Sequence, residues 1–125
     1  IVTLSKDSDN NEEDLVAEQY KGKEALLPIY EKLLGVMQNF GDDVKVVPKK
    51  STVSFVRKIQ FALVKPATKT RIDLGLKIKG QEPSGILESS GPFGTMCTHR
   101  IQLTSVEEVN DEVSQWLKIA YESSK

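Results

Sequence analysis

The chain has 125 residues, of which 38% are apolar and 28% are charged, and its formal net charge is −1. This length fits one domain, and the composition is that of an ordinary folded protein rather than a disordered or fibrous one. The single cysteine excludes an internal disulfide, and the sequence lacks an apolar run long enough for a bilayer, so we expect a cytoplasmic protein without a membrane-spanning segment.

The first residues differ from the rest in composition. Residues 5–14 read SKDSDNNEED, a polar and acidic run with no apolar side chain to bury. We therefore predict a flexible acidic lead-in or linker over residues 1–14 and a single α+β domain over residues 15–125.

An amphipathic helix is predicted next. Four apolar side chains repeat at positions i, i+3, i+4 and i+7: Tyr30, Leu33, Leu34 and Met37. Because proline has no amide hydrogen and is tolerated only in a first turn, Pro28 places the start of the regular helix between residues 24 and 27. We expect Gly41 to follow the end of this helix as its C′ residue.

The middle of the chain changes to a period of two residues, which indicates β-strands. Short strands are predicted over 44–47, 70–78, 86–88 and 98–104, with a hairpin over 51–66 that turns near Arg57 and Lys58. In the second arm of the hairpin, alternation predicts that Ile59, Phe61 and Leu63 share one face. In the strand over 70–78, it predicts an apolar face opposite a face made of Arg71, Asp73, Gly75 and Lys77.

The last helix has a clear start signal. Ser105 and Glu108 have the spacing of a capping box, in which the side chain of each residue accepts a hydrogen bond from the backbone amide of the other. An apolar stripe then follows at helical spacing: Val109, Val113, Trp116, Leu117, Ala120 and Tyr121.

The order of these elements is helix, five or six short strands, helix. Links of hairpin length favour antiparallel pairing, and amphipathic terminal helices need a sheet face to cover. The predicted fold is therefore α+β, with a mostly antiparallel sheet packed against the N- and C-terminal helices.

Four separated segments carry a resemblance to a known family: YKGKEALLPIYEKLL, VPKKSTVSFVRKIQFALVKPATKTRIDLGLKIKG, FGTMCTHRIQL and EVSQWLKIAYE. They resemble the bacterial domain of unknown function 5655, from about Leu15 to the C-terminus. In many members this domain follows another, the domain of unknown function 4287, whose tail or linker would then be residues 1–14 here. The resemblance implies an α+β domain and assigns no catalytic residue.

Charge is distributed unevenly along the chain. Residues 44–79 contain ten basic residues and one acid, a net charge of +9, so the remainder carries −10. If the basic groups gather on one face of the sheet, they form a surface for phosphate or carboxylate groups. The predicted anion-binding residues are Lys49, Lys50, Arg71, Lys77 and Arg100, with Asp73 and His99 as supporting polar groups.

The only cysteine and the only histidine, Cys97 and His99, lie two residues apart. Alternation predicts that both face the core with Ile101 and Leu103. A Cys–His nucleophile pair requires contact at about 3 Å, whereas same-face neighbours on a strand lie about 7 Å apart. One thiol and one imidazole also fall short of a zinc site, so no metal or cofactor is predicted.

Together these patterns favour a non-catalytic binding module whose basic sheet face receives an anionic partner, either nucleic acid or an acidic protein segment. Two alternatives remain open. One is an enzyme that acts on a small anionic substrate with His99 as general base, and the other is a structural module that forms a homodimer.

Overall fold

The computed structural model describes residues 15–49, 51–78, 80–89 and 97–124. Its helices are α1 (Leu27–Gln38) and α2 (Asp111–Ser123), with 3₁₀ turns at Glu24–Leu26 and Val106–Glu108 and a helical segment over residues 15–19. Its strands are β1 (Lys45–Pro48), β2 (Val53–Val56), β3 (Gln60–Pro66), β4 (Ile72–Leu76), β5 (Glu88–Ser89) and β6 (His99–Leu103).

The six strands form one sheet in the order β1-β2-β3-β4-β6-β5, and every neighbouring pair is antiparallel. The helices pack against one face of this sheet, so the predicted α+β architecture is confirmed. None of the helices in the described ranges combines the length and apolar character needed to cross a lipid bilayer.

The main core lies between the helices and the sheet face that they cover. The predicted stripe of α1 is confirmed, because Tyr30, Leu33, Leu34 and Met37 are all buried there. Besides Phe61, the strands contribute nine buried side chains to the same core: Val53, Phe55, Ala62, Val64, Ile72, Leu74, Leu76, Ile101 and Leu103. Alternation along the strands places these residues on one face, as hydrophobic burial requires.

A β-bulge at Phe61 makes one prediction wrong. Phe55 pairs with Ala62, but the next residue of β2, Val56, pairs with Gln60. Two residues of β3 therefore lie opposite one residue of β2, which defines a β-bulge. The extra residue is Phe61, which turns into the main core and meets the Tyr121 ring edge-on at 5.7 Å between centroids. Leu63 therefore lies on the opposite face, and Ile59 is exposed in the turn.

The start of α2 also differs from the prediction. The Ser105–Glu108 pair closes only a 3₁₀ turn, in which the Glu108 carboxylate accepts hydrogen bonds from the Ser105 amide at 3.2 Å and the Thr104 hydroxyl at 2.9 Å. The α-helix begins three residues later, where Asn110 Oδ1 accepts from the Val113 amide at 3.2 Å. Asparagine is among the preferred N-cap residues, so the chain has two successive caps.

Glu108 gives the fold a pH-dependent contribution to stability. Hydrogen bonds from the Thr104 amide and hydroxyl, and from the Ser105 amide, lower the pKa of its carboxyl group. Because the folded pKa lies below the unfolded value of about 4.3, this contribution is present above that value and is lost as the pH falls through the folded pKa. Glu108→Gln is therefore expected to reduce the loss of unfolding free energy between about pH 5 and pH 3, measured by urea titration. The exposed neighbour Glu107 provides the control, because Glu107→Gln should leave the loss of unfolding free energy over this pH range unchanged.

The C-terminus of α2 is attached to the β2–β3 turn by a charged contact. Arg57 Nε donates to Asp43 Oδ2 at 2.8 Å, and its guanidinium lies over the Tyr121 ring at 4.1 Å from the centroid. The Tyr121 hydroxyl donates to Asp43 Oδ1 at 2.8 Å, which lowers the pKa of the Asp43 carboxyl group. Gly41 lies beside this contact, beyond the C-cap Asn39, so its predicted role as the C′ residue is wrong.

Candidate anion-binding site

Two of the predicted basic residues, Arg71 and Arg100, belong to the sheet face opposite the helices, which we call the second face. The pairing register places Lys65, Asp73 and Gln102 side by side in one row across β3, β4 and β6. The next row runs through Ser54, Leu63, Gly75, Arg100 and Glu88. Arg71 precedes β4 by one residue and shares the parity of Asp73.

The second face is not the open, solvated surface that its polar residues predict. Ser54, Leu63, Asp73 and Gly75 are buried, and Leu63 forms a small apolar cluster with Cys97. The longer side chains around these buried residues, such as Arg71 and Arg100, remain partly exposed. The groups available to a partner are therefore guanidinium and amide ends, rather than a continuous charged plane.

Asp73 holds two arginines together. Its side chain is 1% exposed; Oδ1 accepts from Arg71 Nε at 3.0 Å, and Oδ2 lies 3.6 Å from Arg100 Nη1. Burial of a carboxylate is costly unless opposite charges and hydrogen bonds compensate, and the arginines supply both. The two guanidinium groups are consequently held side by side, with exposed fractions of 34% for Arg71 and 19% for Arg100.

Glu88 completes the group of charges. Its Oε1 accepts from Arg100 Nη2 at 3.2 Å and from Gln102 Nε2 at 2.9 Å. We call Arg71, Asp73, Glu88, Arg100 and Gln102 the arginine cluster. Its two positive and two negative charges cancel, and Lys65 beside Asp73 adds one positive charge.

Not every predicted residue joins this cluster. Lys49 is exposed at the end of β1, three strands and so about 14 Å from β4. Lys77 follows Arg71 by six residues along the strand direction, a separation of about 20 Å, but it lies only two residues beyond Gly75, the partner of Arg100. Lys50 lies outside the described residues. The structure thus brings Arg71, Asp73 and Arg100 together and places Lys49 apart from them. Lys77 lies near Arg100 along the sheet, but among the described residues it makes no ion pair with the cluster.

His99 is buried, with 4% exposure, on the helix-covered face of β6. Its Nε2 lies 2.8 Å from the Gln81 carbonyl oxygen, and its Nδ1 lies 2.7 Å from the Thr98 hydroxyl. A carbonyl oxygen only accepts, so Nε2 carries the hydrogen, and Nδ1 is engaged by the Thr98 hydroxyl. Both ring nitrogens are engaged, and this geometry does not favour His99 as a general base.

Cys97 does not face the main core as its parity with His99 predicts. It packs with Leu63 instead, because the regular strand begins only at His99. Burial raises the pKa of the Cys97 thiol to about 11, despite the opposing effect of Lys77. The thiol is therefore protonated at neutral pH, which does not favour a nucleophilic role.

The sequence predictions missed Glu88 as a member of the cluster. Its contact with Arg100 depends on the pairing of β5 with β6, and β5 contains only two residues. A strand of that length has no periodicity that a sequence pattern could reveal.

The family comparison covers the whole of this site. The family model described as Domain of unknown function (DUF5655) matches residues 16–124. This chain belongs to the DUF5655 family. No curated protein and no solved structure shows a significant match.

In this DUF5655 domain, the described residues contain no group of three His, Cys, Asp or Glu side chains placed to hold a metal ion. Among the same residues, Arg100 Nε is buried without a hydrogen-bond partner. The chemistry that the site offers is therefore that of guanidinium and amide donors, which bind oxygen anions.

Proposed function

We propose that this DUF5655 domain is a non-catalytic binding module, and that Arg71 and Arg100 hold an acidic group of a partner protein. The observation that carries the proposal is the buried carboxylate of Asp73 on the central strand β4, in contact with both arginines.

The cost of burying Asp73 argues for a role beyond stability. Replacing a buried ion pair with apolar side chains of similar volume is often neutral or stabilising. A carboxylate can fix two arginines in one orientation, which apolar packing cannot do. Oriented guanidinium groups are suited to binding a partner carboxylate, because each planar group can donate paired hydrogen bonds to it.

The charge around the cluster favours an acidic protein segment over nucleic acid. The cluster and Lys65 together carry only one net positive charge, whereas nucleic acid binding draws its affinity from many phosphate contacts. Proteins that bind single strands also present aromatic rings for base stacking. None of the aromatic residues in the described ranges is exposed.

The direct test is fluorescence anisotropy with a labelled oligoglutamate peptide, compared with an oligodeoxynucleotide of equal net charge. Arg71→Gln is expected to weaken peptide binding about tenfold or more, because a hydrogen bond to a charged group contributes about 1.5–3 kcal/mol. Arg71→Lys keeps the charge but not the planar fork, so it should recover only part of the affinity.

Lys58→Gln is the matched control, since it removes one positive charge from an exposed position in the β2–β3 turn, at the other end of the sheet. It should change the affinity far less than Arg71→Gln. An equal loss would mean that the peptide responds only to net charge and would contradict the proposal. Tighter binding of the oligonucleotide, lost in the Arg71 variant, would assign the site to nucleic acid instead.

The homodimer alternative stays a prediction. The most direct route, pairing of β1 edges, is disfavoured by the exposed Lys45 and by Pro48, which has no amide hydrogen to donate.

A further inference from the structure

Glu88 occupies the donors that a partner carboxylate would need. One of its oxygens accepts both from Arg100 Nη2 at 3.2 Å and from Gln102 Nε2 at 2.9 Å. Neither of these two donor atoms is hydrogen-bonded to Asp73 among the described residues. The chain therefore holds, on its own binding site, a side chain of the chemical class that the site is proposed to take.

The two carboxylates in contact with Arg100 are held very differently. Asp73 is 1% exposed and lies in the five-residue strand β4, between β3 and β6. Glu88 is 45% exposed and lies in the two-residue edge strand β5, which pairs only with β6. Exposed ion pairs contribute little to stability, so loss of the Glu88 contact lowers the free energy of unfolding only slightly. Loss of the buried Asp73 contact lowers it much more.

We infer that Glu88 is an internal competitor, and that a glutamate or aspartate side chain of the partner replaces it on Arg100 and Gln102. This inference rests on the proposed function and specifies its ligand as a carboxylate side chain. Asp73 stays in place during the exchange and keeps Arg71 and Arg100 oriented. Arg71, which makes no contact with Glu88 among the described residues, is free to add a second hydrogen bond to the incoming group.

Competition of this kind predicts that Glu88→Gln binds more tightly than the native chain. Glutamine keeps the size of the side chain and an oxygen that accepts from Gln102, but it removes the charge that holds Arg100. The expected result is about two- to fivefold higher affinity for the labelled oligoglutamate peptide, the range that corresponds to loss of a part-exposed ion pair. Glu82→Gln is the matched control, because it removes the same charge from an exposed glutamate outside the cluster.

Exchange also predicts a spectroscopic signature. The side-chain amide of Gln102 is bonded to Glu88 before the peptide arrives and to the peptide afterwards. Its ¹H–¹⁵N signals should therefore shift on titration of the native chain, and the side-chain carboxyl ¹³C signal of Glu88 should move toward that of an unpaired glutamate.

The outcomes separate this inference from the proposed function. If Glu88→Gln and Glu82→Gln change the affinity equally while Arg71→Gln still weakens binding about tenfold or more, the binding site stands and the competitor role of Glu88 is overturned. If Arg71→Gln has no effect, the proposed function itself fails. Arg100→Gln combined with Glu88→Gln should remove the gain seen with Glu88→Gln alone, and a persistent gain would also count against the exchange.

Discussion

Asp73→Asn is expected to lower the free energy of unfolding by about 3 kcal/mol. The substitution leaves Arg71 and Arg100 close together without the carboxylate that separates and neutralises them. Removing one partner of a buried ion pair costs about 3–5 kcal/mol, and partial exposure of the two guanidinium groups places the effect at the lower end. Urea unfolding at neutral pH, followed by circular dichroism, measures this change.

Asp42→Asn is the matched control, because the same chemical change falls on an exposed residue. It should alter stability by less than about 0.5 kcal/mol, the range of ordinary surface substitutions. If Asp73→Asn were equally mild, the Asp73 contacts would be worth no more than a surface salt bridge, and Asp73 could not be the residue that orients the arginines.

Features that depend on neighbouring residues could be predicted from the sequence. The apolar stripes of α1 and α2 repeat at helical spacing, and burial of one stripe per helix follows directly from it. The antiparallel sheet follows from short strands joined by short links. Both inferences need only local periodicity and the rule that apolar side chains leave water.

Features that depend on how two strands pair could not be predicted in the same way. The bulge at Phe61 is a property of the β2–β3 register, and a single strand pattern carries no record of it. One extra residue places Phe61 and Leu63 on opposite faces of the sheet, although simple alternation predicts that they share one. The contact between Leu63 and Cys97 follows from that placement.

The candidate site shows the same division. Strand parity alone predicts that Arg71 and Asp73 share a face, and in the structure Arg71 Nε lies 3.0 Å from Asp73 Oδ1. The contribution of Arg100 requires β6 to lie beside β4, although β5 intervenes in the chain. Net charge along the sequence ignores such distances, so Lys49 entered the predicted set although two strands of the sheet separate it from the cluster.

Two glycines are expected to respond in opposite directions to the same substitution. A Cβ at Gly41 would lie 2.5 Å from the Tyr121 hydroxyl oxygen and 2.8 Å from Asp43 Oδ1. These two oxygen atoms are hydrogen-bonded to each other, so Gly41→Ala forces them apart. It also disturbs the contact between Asp43 and Arg57. Overpacking of this kind costs about 1–3 kcal/mol of unfolding free energy.

Gly35 is the matched position, because it lies on the exposed side of α1 and a Cβ there would meet no atom within 4 Å. Alanine restricts the unfolded chain and favours the helix, so Gly35→Ala is expected to add about 0.5–1 kcal/mol. Thermal and urea unfolding of both variants measure the pair. Stabilisation by both substitutions would show that Tyr121 and Asp43 do not meet beside Gly41, because only their contact makes alanine unfavourable at that position.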